Sequence, residues 1–150
     1  MSYDDIKARA AWRELEKSVS AAAASAWNRE RPKLVAVDLD GTIIDKLPHY
    51  THTGEFGDPI PGVVEKLNQL RADGWKIVIW TVRQESEEMR LHLEQHNIPY
   101  DFINRHPWQP PDGGPKIIAD VYIDDLAVNF DGKARSFDRV TEFKPWWKVK

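Results

Sequence analysis

The 150-residue sequence contains no cysteine. That excludes a disulfide framework, a Cys-ligated zinc site, an iron–sulfur cluster and a cysteine nucleophile, and it fits a reducing compartment. Long apolar runs are missing too: nothing approaches the ~18 residues of a membrane-spanning helix. The opening stretch MSYDDIKARAAWRELEK is densely charged and has no apolar segment of a secretory leader. The expected compartment is the cytoplasm, with no membrane partner. A basic excess is also absent. Lys and Arg number 21 against 24 Asp and Glu, a net charge of −3, which argues against a general nucleic-acid binder. No internal repeat at a fixed period is present, so a solenoid is excluded. What remains is 41% hydrophobic and 30% charged, a globular composition at a length suited to one domain.

Residues 2–30 read as one helix, with Ser2 and Asp5 in a capping-box pattern and Pro32 as the stop. Trp12, Leu15, Val19, Ala22 and Ala26 recur at helical spacing and form one apolar stripe. The stripe either packs on its own domain or joins a homo-oligomer. The chain thus divides into an N-terminal amphipathic helix, 1–32, and a domain, 33–150. Within the domain, LVAVD after Lys33 and WKIVIW at 75–80 read as buried strands. Asp101–Asn104 is a short strand, and VYIDD at 121–125 is another buried one. Between them, a helix begins near Pro61, with Val63, Val64, Leu67 and Leu70 on its apolar face and Gly74 as its end. A second helix spans 85–96 with Met89 and Leu93 inward. Strands alternating with helices predict an α/β domain with a Rossmann-like, largely parallel sheet flanked by helices.

In such sheets ligands bind beyond the carboxyl ends of the strands. Here those ends carry Asp38, Thr81, Asn104 and the pair Asp124-Asp125. Asp38 and Asp40 stand two apart, and Gly41 lets the backbone turn sharply after them. Carboxylates brought to one edge repel unless a cation or proton intervenes. All-oxygen ligands favour a hard ion, and Mg2+ is the usual partner of phosphate substrates. A Thr81 hydroxyl and the Lys116 ammonium would complete a set suited to phosphoryl transfer, where positioning and charge neutralisation do most of the work.

DLDGT at 38–42, the Thr that ends WKIVIWT, Lys116 and VYIDD at 121–125 together resemble the four ordered motifs of the haloacid dehalogenase superfamily of phosphohydrolases. The stretches WTVR and VYIDDLAV are most similar to its small, minimally capped bacterial and phage members. The resemblance implies roles residue by residue. Asp38 is the nucleophile that becomes a phosphoaspartate, and Asp40 is the general acid and base. The Asp38 and Asp124 carboxylates and the Asp40 backbone carbonyl bind Mg2+, supported by Asp125 through water. Thr81 and Lys116 hold phosphoryl oxygens, with Gly41 and Thr42 also at the substrate. Arg83 is a substrate-contact candidate, a locally paired surface arginine being the plain alternative.

Other features invite less. His49 and His52 lack further ligands and read as solvated loop residues. His106 and Trp108 either rim the pocket or plug a loop. Trp146 and Trp147, among Lys144, Lys148 and Lys150, read as packing on the domain rather than a membrane or nucleic-acid contact. The insertion points at 44–60 and 105–115 are too short for a folded cap. The expected site is therefore open, and its substrate is a phosphorylated small molecule or a phosphorylated polymer end. Two other classes compete: a phospho-acceptor signalling module, and a catalytically idle binding protein of the same fold. The motif order speaks against the first, since Lys116 precedes the second acidic pair. The complete motif set speaks against the second.

Overall fold

A computed structural model describes residues 7–15, 17 and 31–149. Residues 7–15 are helical (α1), and Trp12 and Leu15 on it are 64% and 53% exposed. The rest of the expected 2–30 helix, with Val19, Ala22 and Ala26, lies outside the described residues. Among the described residues no helix is long and apolar enough to cross a membrane.

The domain is an α/β fold around a four-stranded, all-parallel sheet. Its strands are β1 (Leu34–Val37), β2 (Lys76–Ile79), β3 (Phe102–Ile103) and β4 (Val121–Ile123), in spatial order β3-β2-β1-β4. Each is shorter than its apolar run suggested. β1 pairs with β2 from Leu34↔Lys76 to Val37↔Ile79, and with β4 from Val35↔Val121 to Val37↔Ile123.

Helices α2 (Val63–Ala72) and α3 (Glu87–Gln95) carry the two crossovers. α2 starts after Gly62, whose φ of +84° turns the chain without a side-chain cap. α3 is capped by Ser86: its Oγ accepts the Met89 N–H, with Glu87 and Glu88 at the positive end of the helix dipole. Strand alternation divides the core in two. Val35, Val37, Ile77, Ile79 and Ile103 face the helices and meet Leu67, Met89 and Leu93, the last two fully buried. Leu34, Ala36 and Val78 point to the other face. No described helix covers that face. Ile117, Trp108 and Ala119, from the long β3–β4 connection, pack on it instead. His106 belongs to this plug, not to a pocket rim. Its Nε2 donates to the Ile118 carbonyl and its Nδ1 accepts from the Trp108 N–H, which fixes the tautomer.

β4 departs from expectation in one respect. It is an edge strand, with Val121, Tyr122 and Ile123 each more than 40% exposed. An apolar run alone does not distinguish a central strand from one paired on a single side.

The strand order creates the site. The chain steps from β1 outward to β2 and β3, then returns to the other side of β1. The order therefore reverses between β1 and β4, and the crevice beyond their carboxyl ends is where such sheets bind ligands. The Asp38 N–H donates to the Ile123 carbonyl at 2.9 Å, which holds the two strand ends together.

Candidate active site at the β1–β4 crevice

Asp38 follows β1 directly, and Asp124-Asp125 follow β4 directly. Parallel pairing in register therefore brings the three carboxylates to one edge. Each offers an oxygen lying within 4.8 Å of the others. Asp38 and Asp125 are half-buried and Asp124 is exposed. Burial, then a hydrogen bond shared with Asp125, then the charges of Asp124 and Asp125 push the Asp38 carboxyl up to about 8. Thr42 Oγ1 lies 3.3 Å from Asp38 Oδ2 and 3.2 Å from Asp125 Oδ1, and it accepts the Asp125 N–H. One hydroxyl proton serves only one of the two carboxylates at a time.

The loop after Asp38 is tightly fixed. Thr42, Ile43 and Ile44 all direct their N–H groups to the Leu39 carbonyl, and Ile44 bridges to both Asp40 and Pro59. Gly41 has φ +91°, and a Cβ there would stand 2.5 Å from Asp125 Oδ2 and 3.2 Å from Trp147 Nε1. Only glycine allows both the turn and that close approach. The C-terminal segment completes the wall. In the 3-10 turn Trp146–Lys148, the Trp146 indole donates to the Gly41 carbonyl at 2.7 Å and the Trp147 indole donates to Asp125 Oδ2 at 2.6 Å. Beside the carboxylates is an open cleft of about 290 Å3, lined by Gly41, Thr42, Ile60, Asp124, Asp125 and Trp146 among others.

Asp40 faces elsewhere. It is 5% exposed and accepts two hydrogen bonds from Arg83, Nε to Oδ2 at 2.7 Å and Nη2 to Oδ1 at 2.9 Å. Arg83 is itself 3% exposed and also donates to the Gly54 and Glu55 carbonyls. Its guanidinium lies 4.4 Å from the Phe56 ring centroid and 5.3 Å from that of Tyr50. A buried charge needs such a complete set of partners. Arg83 also lines a cavity of about 550 Å3, together with His52, Gly54, Phe56, Gln84 and Glu88.

No protein-family model and no curated protein matches the chain. Among solved structures, the chain is similar to a conserved protein of Bacteroides thetaiotaomicron. The two are 24% identical over 79% of this chain and 98% of that one, with a TM-score of 0.52. At that identity the likeness shows the fold, a parallel α/β domain, and nothing of the chemistry.

Of the site residues read from sequence, the structure brings Asp38, Gly41, Thr42, Asp124 and Asp125 together. The Asp40 side chain stands apart from the carboxylate trio and pairs with Arg83. Arg83 is thus a buried clamp on Asp40, with four donated hydrogen bonds inside the chain, rather than an open substrate contact. Thr81 caps β2 as expected. Its N–H goes to Asn104 Oδ1, and its hydroxyl oxygen accepts the Arg83 N–H. Asn104, at φ +56°, pins this turn further by donating to the Arg83 carbonyl.

Lys116 is the clear correction. It precedes β4, so it approaches the amino end of that strand, whereas the carboxylates sit at carboxyl ends. Its exposed ammonium lies 5.0 Å from the Tyr122 ring centroid. Seven residues that include a whole strand separate Lys116 from Asp124 and carry the chain across the sheet.

Sequence reasoning missed Lys46, Tyr50 and the Trp146-Trp147 pair as neighbours of the carboxylates. Tyr50 is raised above its ordinary value by burial and by the Asp40, Asp38 and Asp125 charges, with Arg83 opposing. Lys46 Nζ lies 4.1 Å from the Tyr50 ring centroid and 5.3 Å from that of Trp147. Only the aromatic and basic composition of the tail hinted at any of this.

Proposed function

We propose that the chain is a Mg2+-dependent phosphomonoester hydrolase that works through an aspartyl-phosphate on Asp38. The observation that carries this reading is the carboxylate trio at the β1–β4 crevice, with Asp38 pushed up to about 8 by its surroundings. Such a trio favours a hard cation by its donor chemistry, since every ligand atom is a carboxylate oxygen. Asp38 and Asp124 would hold Mg2+ with Asp125 behind them. When bound, the ion supplies positive charge that lets Asp38 ionise and offsets the charge of the phosphoryl oxygens.

The chain's own residues account for the remaining steps. The Asp38 carboxylate attacks phosphorus as the bond to the leaving oxygen breaks, and Asp40 gives that oxygen a proton. A water then attacks phosphorus, Asp40 takes its proton, and the Asp38 carboxylate leaves. In the structure Arg83 holds both Asp40 oxygens apart from the carboxylate trio, so each proton transfer requires the Asp40 carboxyl to turn from Arg83 toward the crevice. Thr42 orients Asp38, and Thr81, anchored through Asn104, presents its hydroxyl at the end of β2. The short loops at 44–60 and 105–115 leave the cleft open, in keeping with a phosphorylated small molecule or polymer end as substrate and with action in the cytoplasm.

Hydrolysis of p-nitrophenyl phosphate with Mg2+ tests the reading. Asp38→Asn is expected to lower kcat/KM by at least about a thousandfold, or ~4 kcal/mol of transition-state stabilisation, while circular dichroism stays unchanged. Activity of the variant within about tenfold of wild type refutes the nucleophile assignment. Undiminished turnover in excess chelator refutes the metal requirement.

A further inference from the structure

We propose that Lys46, not Lys116, is the cation that receives the phosphoryl oxygens at this site. The inference rests on the hydrolase reading above. A phosphate monoester carries negative charge into an edge already lined by Asp38, Asp124 and Asp125, so a positively charged side chain must meet it as well as the metal. Arg83 is committed: four of its donors serve Asp40, Gly54 and Glu55. Lys116 lies toward the amino end of β4 and over Tyr122.

Lys46 meets the requirement in three ways. Its backbone is fixed at the site, because it follows Asp45, whose N–H donates to the Asp58 carbonyl, and Ile44, which bridges to Asp40 and Pro59. Its ammonium stands between two rings that themselves border the carboxylates. Tyr50, at 4.1 Å, senses the charges of Asp38, Asp40 and Asp125, and Trp147, at 5.3 Å, donates its indole N–H to Asp125 Oδ2. And among the described residues the ammonium has only these ring faces as partners. Among the described residues, no carboxylate or carbonyl accepts from it, so all three N–H donors remain for an anion. Cation–π contacts hold a half-buried lysine in place without neutralising it. Lys46 is thus restrained, charged and unspent, one indole away from Asp125.

The test uses the full chain, saturating Mg2+ and inorganic phosphate as the titrant in a calorimeter. Lys46→Met keeps the aliphatic stem and removes the charge. It is expected to weaken phosphate binding about 10- to 100-fold, the effect of losing a charge-assisted hydrogen bond. Lys46→Arg is expected to restore affinity to within about fivefold, while Mg2+ binding without phosphate stays within about twofold in both variants. Lys116→Met and Lys148→Met, the latter ammonium lying 5.5 Å from the Trp147 ring centroid, are expected to change phosphate affinity by less than about threefold.

Wild-type phosphate affinity in Lys46→Met overturns the proposal. So does an equal loss in Lys46→Arg, which would mark a purely structural effect, or a larger loss in Lys116→Met. Hydrolysis of p-nitrophenyl phosphate by the wild type, measured alongside, separates the two claims. If the wild type turns over and Lys46→Met binds phosphate as well as it does, the Lys46 role alone falls. If the wild type neither turns over nor binds phosphate, the hydrolase reading falls with it.

Discussion

In metal-free buffer the unfolding free energy of this chain should fall as pH rises from about 4 to about 8, and Asp38→Asn should abolish that fall. The folded state lifts the Asp38 carboxyl from 3.8 to about 8. Between those values the native chain holds a proton that the unfolded chain has released, so stability is lost with rising pH and is fully present only below 3.8. At 1.36 kcal/mol per pH unit the upper bound is about 6 kcal/mol. Asp38 is only half-buried, and solvent screening cuts the working figure to about 2 kcal/mol. Asparagine mimics the protonated acid in shape and can donate to Asp125, but it never ionises.

Urea unfolding of both proteins in chelator at pH 4.5 and pH 8.5 makes the comparison. Near pH 4.5 the two should agree within about 0.5 kcal/mol. At pH 8.5 the variant should be about 2 kcal/mol more stable, or ~4–8 °C in Tm for a domain of this size. Other carboxylates contribute equally to both proteins and cancel; Asp120, which Arg31 holds below its ordinary value, is ionised throughout the range. Mg2+ at a hundredfold over its Kd should then add about 2.7 kcal/mol to the wild type at pH 8.5, and much less to the variant. Parallel pH profiles for the two proteins would refute the claim that the crowded carboxylates, rather than the loop backbone, set the cost of the site.

Arg83→Met leaves Asp40 buried without its cation and should cost about 3–5 kcal/mol in urea unfolding, with Arg83→Met/Asp40→Asn recovering part of the loss. Equal stabilities of the single and double variants would show that the pair is not coupled. Gly41→Ala sets a Cβ 2.5 Å from Asp125 Oδ2 in a backbone at φ +91°. It should lower stability by about 1–3 kcal/mol and reduce Mg2+ affinity in the same titration. Trp147→Phe removes the donor to Asp125 Oδ2 while keeping a ring. A loss of about 1–3 kcal/mol is expected, and no loss at all would mean that the tail contact is incidental.

The fold and the carboxylate cluster were legible in the sequence for one reason. Both depend on strands whose apolar runs end in polar residues, and a parallel sheet places all such ends on the same edge. That rule located Asp38, Thr81, Asn104 and Asp124-Asp125 without any knowledge of loops. It also explains the failure at Lys116. Motif order assigned it a role, but order is silent about which end of a strand a residue approaches. With only Val121–Ile123 in β4, a lysine placed before the strand cannot easily share an edge with the acids after it. Arg83 was misjudged for a different reason: a charged residue in a loop reads as exposed, and only the three-dimensional arrangement shows that Asp40, Gly54 and Glu55 enclose it.

The least legible part is the wall around the crevice. Lys46 and Tyr50 come from an irregular loop, and Trp146 and Trp147 from a tail about a hundred residues later. No periodicity links them. Trp147 reaches Asp125 because Gly41 lacks a side chain: the space its Cβ would fill is where Asp125 Oδ2 and Trp147 Nε1 approach. Beside the carboxylates stand two indoles, which donate to Gly41 O and Asp125 Oδ2, and a lysine held against two rings. Indole N–H groups suit that position, because each donates to an oxygen of the crevice, a carbonyl for Trp146 and a carboxylate for Trp147, while presenting an apolar face. On the hydrolase proposal, substrate selection would depend on this loop and tail. Substitutions at Lys46, Tyr50 and Trp146 should shift relative kcat/KM among phosphate esters more than substitutions in the 105–115 connection, and a panel of esters with small and large leaving groups reads that difference directly.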